Sequence, residues 1–271
     1  MLSEEEIQRY MRHILLAEVG GTGQEKLRAA SVLIIGAGGL GSPLALYLAA
    51  AGVGRIGLVD HDTVELSNLQ RQIAHTQARV GQAKVDSAAA AMHAINPLVQ
   101  VDTHAVCVTA RNVAGLVADY DIVCDGTDNF AARFLIADAA WRAGRILVSA
   151  AVLRFEGQLS TFKPGRTGAG ANPCYRCLTP AAPPDGLVPS CAEAGVLGPV
   201  TGVMGTLQAI EVCKEILGIG ESLAGRLLVW DALAVRFRTI GLPADPDCAF
   251  CGMHPDGQRN VVAAALDADR G

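Results

Sequence analysis

Two cations, Arg71 and Lys84, and one carboxylate, Asp128, lie downstream of a glycine-rich turn, Gly36-Ala37-Gly38-Gly39-Leu40-Gly41. Glycines at 36, 38 and 41, with Gly39 among them, let a backbone turn tightly and come close to a phosphate. A helix starting there aims amide groups and partial positive charge at the anion. Asp60 heads the polar run Asp60-His61-Asp62-Thr63-Val64-Glu65-Leu66-Ser67-Asn68-Leu69-Gln70-Arg71-Gln72 and is placed to accept hydrogen bonds from ribose hydroxyls. Lys84 follows, and then Asp125-Gly126-Thr127-Asp128-Asn129. Arg71 and Lys84 would neutralise phosphate charge, and Asp128 would hold Mg²⁺ through one or two waters. Asn68 would join them on one nucleoside triphosphate. Asp62, Gln72 and Asn129 stand in the same runs and count as nucleotide-site candidates. The glycine turn by itself admits NAD, FAD or ATP. A dehydrogenase, however, has little use for two cations and a magnesium carboxylate beside its dinucleotide.

The pairs Cys174/Cys177 and Cys248/Cys251 carry a second chemistry. Each Cys-x-x-Cys presents two thiolates to one face of a tetrahedral ion, and two pairs complete a closed shell of four cysteines. Four protein ligands leave no open position, so the predicted zinc is structural. It ties together segments about 70 residues apart, a long closure of the kind where a clip constrains the unfolded chain most. A redox dithiol competes for one pair but poorly for two. Cys191 stands outside both pairs. Cys107, Cys124 and Cys213 fall in apolar patterns and are predicted to be small core residues. The histidines show no ligand spacing with one another, and none is assigned a catalytic role.

These groups must be positioned by a fold. Ser31 to Ile35 is apolar and β-branched and runs into the glycines; Pro43 to Ala51 reads as a buried helix, and Arg55 to Asp60 as a second strand. That is one βαβ unit in about 30 residues. Helices predicted over 82–95, after Thr109 and over 129–143 alternate with strands near 99–106, 121–124 and 145–151. The alternation implies an α/β fold, a doubly wound, Rossmann-like, mostly parallel sheet. In such a sheet all the polar loops named above lie at the carboxyl edge, where ligands bind. Upstream, Ser3 and Glu6 form a capping box for a helix running through Ile7, Tyr10 and Ile14. Downstream, added antiparallel strands are expected: one over 157–162 and a hairpin over 227–230 and 235–240. A Pro- and Gly-rich loop over 164–190 and a long apolar helix over 202–217 lie between them.

The 271 residues are 51% hydrophobic, 18% charged and 4% aromatic, which suits closely packed helices on a sheet. The net charge of −5 argues against a non-specific nucleic-acid binder. The acidic start Met1-Leu2-Ser3-Glu4-Glu5-Glu6 does not read as a secretory signal. Apolar runs are broken before about 18 residues, so no membrane span is expected. A cytoplasmic setting is expected, in which eight cysteines are poor candidates for disulfides.

The run Asp60-x-Asp62-Thr63-Val64-x-Leu66-Ser67-Asn68-Leu69-Gln70-Arg71-Gln72 resembles the ThiF/MoeB/HesA family, prokaryotic relatives of the ubiquitin-activating enzymes. The resemblance spans nearly the whole chain. It takes in Arg9-Tyr10-Met11-Arg12, the glycine turn, Asp125-Gly126-Thr127-Asp128-Asn129, Cys174-Tyr175-Arg176-Cys177 and Gly198-Pro199-Val200-x-Gly202-Val203-Met204-Gly205. It implies MgATP-dependent adenylylation of the C-terminal glycine of a small ubiquitin-like sulfur carrier, MoaD- or ThiS-like, with a Gly-Gly end. It places Asp60 on ribose, Asn68, Arg71 and Lys84 on the phosphates, and Asp128 on magnesium. It also implies a homodimer in which an N-terminal arginine, best matched by Arg12 and next by Arg9, reaches the partner's phosphates. Cys191 matches the cysteine that in some members links covalently to the carrier. Where the family usually reads Arg-Tyr-Asn-Arg-Gln, this chain has Arg9-Tyr10-Met11-Arg12-His13, which weakens any role for the middle side chain.

The expected organisation is therefore one adenylyltransferase domain over 1–255. Its nucleotide-binding part covers about 30–151, its carrier-binding and zinc part about 152–255, and 256–271 form a flexible tail. With no rhodanese-like segment after the zinc pair, sulfur is expected from an external cysteine desulfurase or rhodanese-like protein. The competing classes are an NAD-dependent oxidoreductase, a non-catalytic carrier-docking module, and a family member that activates a different peptide or tRNA carboxylate.

Overall fold

The computed structural model describes residues 1–165, 171–184 and 194–252. The N-terminus forms α1 (Glu4–Arg9), α2 (Met11–Ile14) and α3 (Gly20–Ala29). The Ser3–Glu6 capping box is present in both directions, through Glu6 N–H to Ser3 Oγ at 3.2 Å and Ser3 N–H to Glu6 Oε2 at 2.7 Å. The single helix expected through Tyr10 is broken there: Tyr10 leaves helical geometry at φ −101°, ψ 16°. Its ring is buried against Gly52, and its hydroxyl accepts a hydrogen bond from Asn96 Nδ2 at 2.8 Å. Tertiary anchoring of one aromatic outweighs the local helical pattern.

The remaining strands and helices are β1 (Ser31–Ile35), α4 (Gly41–Ala51), β2 (Arg55–Val59), α5 (Lys84–Ile95), β3 (Gln100–His104), α6 (Val113–Ala118), β4 (Ile122–Asp125), α7 (Phe130–Arg142), β5 (Ile146–Leu153), β6 (Glu156–Phe162), α8 (Tyr175–Leu178), α9 (Gly198–Leu217), β7 (Arg226–Asp231) and β8 (Arg236–Gly241). All eight strands join one sheet in the order β3-β2-β1-β4-β5-β6-β7-β8. Pairings up to β5 are parallel and those beyond it antiparallel. The chain thus makes the expected doubly wound sheet with added antiparallel strands.

β1 and β4 sit centrally and are buried almost throughout, the mark of strands covered on both faces. One face packs Leu44 and Leu48 of α4, Val85 and Met92 of α5, and Met204 and Val212 of α9. The other packs Val113 and Val117 of α6 with Ile136 and Ala140 of α7. Truncating one such fully buried aliphatic to Ala costs about 2–5 kcal/mol. Because α4 and α7 leave β1 and β4 toward opposite faces, a crevice opens between the carboxyl ends of these neighbours. That crevice is the switch point of the fold.

α9 braces this region. Gln208 Nε2 donates to the carbonyls of Asp125 at 3.0 Å and Val148 at 2.8 Å, tying the helix to β4 and β5. Gly198 and Gly205 lie so close to the Gln70 and Leu40 carbonyl oxygens that a side chain at either would run into them. At the far edge, β8 is exposed along its length and is held to β7 by pairing and by Phe237 stacking on Trp230 at 5.5 Å. No helix among the described residues is long and apolar enough to cross a membrane. The tail predicted over 256–271 lies outside the described residues.

Candidate functional site

A cleft of about 520 Å³ opens at the carboxyl edge of the sheet. It is walled by the glycine turn, the polar run after β2, the start of α5 and the loop after β4. The turn is built as its sequence demands. Gly36 has φ +99°, and its amide donates to the Val59 carbonyl at 2.8 Å. Asp60, at the end of β2, accepts from the Ala37 amide at 2.8 Å with one oxygen and from the Asp62 amide at 2.9 Å with the other. Each oxygen keeps acceptor capacity for a further donor.

Lys84 opens α5 and is 6% exposed. Its ammonium meets Asp62 at 2.7 Å, and this hydrogen bond holds the Asp62 carboxyl below its ordinary range. Asn68 is buried and accepts from the Glu65 amide at 3.1 Å, closing the short turn Leu66–Asn68. Arg71 donates to the Ser67 carbonyl at 3.1 Å and lines the cleft. Gln72 is buried beside Gly38, and its Oε1 has no partner among the described residues. Asp128 and Asn129 are exposed in the loop after β4. Asn129 caps α7 by accepting from the Ala132 amide at 2.9 Å.

The cleft therefore gathers Gly36, Gly38, Gly39, Asp60, Asp62, Asn68, Arg71, Gln72, Lys84, Asp128 and Asn129. Gly41 stands behind it as the first residue of α4, in contact with the Gly36 carbonyl. Arg12 is not among the cleft residues; it is exposed on α2. Cys191 lies outside the described residues.

Three features were not expected from sequence. Cys107 is exposed and lines the cleft instead of lying in the core, because β3 ends at His104 and the apolar 106–108 stretch continues as loop. Asp125 is buried and shapes the loop that carries Asp128, accepting from Thr127 N–H at 2.9 Å, Thr127 Oγ1 at 2.7 Å and Ser149 Oγ at 2.9 Å. His75 is buried beneath the glycine turn, and burial lowers its pKa. No motif in the sequence marked it. Cys124 is buried as expected, and Cys213 is partly so.

The four paired cysteines meet away from the cleft. Cys174 Sγ lies 3.9 Å from Cys177 Sγ and 3.7 Å from Cys248 Sγ, and Cys177 Sγ lies 3.4 Å from Cys251 Sγ. All four sulfurs fall within 4.8 Å of one another. Metal–sulfur bonds of ~2.3 Å in a tetrahedron give sulfur–sulfur edges of about 3.8 Å, so the cluster fits one ion. The Asp245 amide points at Cys177 Sγ at 3.5 Å. Arg176, between the first two ligands, makes a two-pronged pair with Asp138 of α7 at 2.9 and 2.8 Å and lies over Phe134 and Phe250. This docks the cysteine module on α7.

A doubly wound sheet with a cation-lined cleft at its switch point, joined to a four-cysteine module, defines a nucleotide-binding protein of a particular kind. The sequence profile of the ThiF family matches residues 10–250, and the chain belongs to that family. It is 54% identical over 255 residues to the Bos taurus "Adenylyltransferase and sulfurtransferase MOCS3", covering 94% of this chain and 55% of that protein. This chain thus spans little more than half the length of that relative. It is 47% identical over 260 residues to the Thermus thermophilus "Sulfur carrier protein adenylyltransferase", covering 96% of both. A crystal structure of E. coli MccB with MccA-N7isoASN superposes with a TM-score of 0.79 at 22% identity, over 92% of this chain and 75% of that one, and shares the fold.

Proposed function

We propose that this protein uses MgATP to adenylylate the C-terminal glycine of a small ubiquitin-like sulfur carrier, MoaD- or ThiS-like, releasing pyrophosphate and priming the carrier for thiocarboxylate formation. One observation carries the reading: in a chain of this family, Asp60, Arg71, Lys84 and Asp128 wall a single cleft around the glycine turn. The attacking carboxylate is already ionised at neutral pH and needs no general base. The barrier is largely the approach of an anion to a polyanion. Fixed cations lower it through pre-organised electrostatics and positioning. Asp60 takes the ribose; Arg71 and Lys84 take the phosphates, with Asn68 and Gln72 beside them. Lys84 would leave Asp62 for phosphate or bridge the two.

Asp128 suits magnesium because its carboxylate is exposed at the cleft and has no hydrogen-bond partner among the described residues. The metal would supply charge neutralisation between the phosphates. Zinc is the ion the four thiolates fit, in a structural role. Arg12 serves the partner's cleft in a homodimer, consistent with its place on the outside of its own. Cys191 is the candidate for a covalent link to the carrier. Sulfur would then reach the activated carrier from a cysteine desulfurase or a rhodanese-like protein.

ATP–pyrophosphate exchange with Mg²⁺ tests the reading, with candidate carriers supplied one at a time, intact or lacking the terminal Gly-Gly. Exchange that requires the intact terminus is expected. Exchange with none of them, despite ATP binding, would redirect the assignment to another carboxylate substrate.

A further inference from the structure

His75 sits beneath the glycine turn, 6% exposed, and both its ring nitrogens are engaged. Nε2 lies 3.0 Å from the Ala37 carbonyl oxygen, and Nδ1 lies 3.0 Å from Ser87 Oγ. A carbonyl can only accept, so Nε2 carries the proton and Nδ1 of the neutral ring accepts from the serine hydroxyl. Ala37 is itself buried, and its amide donates to Asp60 Oδ2 at 2.8 Å. One residue of the turn is thus gripped from both sides, by His75 at its carbonyl and by Asp60 at its amide. The other side chain that reaches that carbonyl, among the described residues, is Ser42, at 3.5 Å.

We propose that His75 is a positioning residue of the nucleotide site: its Nε2–H holds Ala37, and through it the glycine turn and the Asp60 carboxylate, in the geometry that receives the ribose and phosphates of ATP. The inference rests on the reading of the cleft as an ATP site. Ser87, on the first turns of α5, fixes the other side of the ring, and Arg79 grips the Ser87 carbonyl at 2.8 Å. The ring therefore couples the α5 start, where Lys84 resides, to the turn after β1.

The neutral ring is the working form. The charged groups facing it are Lys84 and Arg79, which oppose a second proton, and Asp60, which favours one; burial opposes it most. A histidine with a folded pKa below its ordinary 6.5 keeps its full contribution above that pH. The contribution is lost as pH falls through the lowered value.

The test is MgATP affinity, read by calorimetry on the full chain and on His75→Gln and His75→Leu, between pH 8 and pH 5.5. Glutamine can place an amide N–H on the Ala37 carbonyl and does not titrate; leucine leaves that carbonyl without its donor. His75→Gln should bind within about threefold of the parent at pH 8, and His75→Leu roughly tenfold or more weakly. Because ATP titrates in this range too, the glutamine variant measures the nucleotide's own response, and the parent should lose affinity more steeply on acidification. Parental affinity in His75→Leu would overturn the inference. So would a glutamine variant that declines with pH as steeply as the parent. If the leucine variant does not fold, the pH comparison decides alone. A parent protein that binds no MgATP would overturn the ATP reading itself, a distinct result.

Discussion

On the proposed reading, Lys84 is a side chain prepared for a polyanion. It is almost wholly buried and held by Asp62, so the ammonium is fixed before any phosphate arrives. Arg71 stays nearer solvent, held through the Ser67 carbonyl. If both cations face the phosphates as proposed, each acts most strongly where charge develops in the transition state, and Arg71→Ala and Lys84→Ala should each lower adenylylation on the order of 10²–10³-fold. Steady-state rates of both variants, with ATP affinity measured alongside, check this; near-parental rates in both would remove these residues from the mechanism. At this scale the polar run was legible because its chemistry is local. Charged and amide side chains within a dozen residues, following a strand, can face little but the carboxyl edge of the sheet. His75 was not legible, because its role comes from a contact 38 residues away in sequence with the Ala37 carbonyl, and a backbone acceptor leaves no mark in residue type.

The four-cysteine module is an element held by side chains, and by the ion its thiolates are proposed to take, more than by backbone. α8 is a single turn, and the second pair lies in a loop past β8. The buried apolar support is small: Phe250, with Trp141 packed against it. The Arg176–Asp138 pair ties the module to α7 independently of any metal. We expect metal analysis of protein purified without chelator to give one zinc per chain. Removal by a chelator at mildly acidic pH, where thiolates take up protons, should lower the melting temperature. Finding no zinc in such protein would refute the assignment. The pairing of these cysteines was readable because Cys-x-x-Cys spacing is set by local geometry. Element ends were read less well. The strand expected to run to Val106 stops at His104, since hydrophobicity continues past the last paired residue, and this moved Cys107 from core to cleft. The break at Tyr10 likewise depends on Gly52 and Asn96, which no local pattern connects to it.

For the whole molecule, the mostly parallel sheet and its antiparallel extension followed from alternation of helix and strand up to β5 and its loss thereafter. What alternation could not convey is that Arg12 and the cleft lie apart on one chain. If two protomers share their sites, Arg12→Ala damages the partner's cleft while Asp128→Ala damages its own. Mixing the two inactive variants should then regenerate up to about a quarter of parental activity, since random pairing places half the chains in mixed dimers and each mixed dimer has one intact cleft. The pyrophosphate-exchange assay reads this directly. Absence of any recovery, with mixed dimers demonstrated, would place both residues in one chain's site or remove Arg12 from it.

α9 adds a mechanical consequence. Its backbone rests on two cleft walls at once, at Leu40 through Gly205 and at Gln70 through Gly198, with no side chain between. Side chains can adjust rotamers to absorb a small error; two backbones in contact cannot. The helix thus bears on both walls through its backbone, at Gly198 and at Gly205. A single added methyl group at either contact would be transmitted as displacement of a whole wall, so tolerance to substitution should be lowest where this helix carries the least side chain.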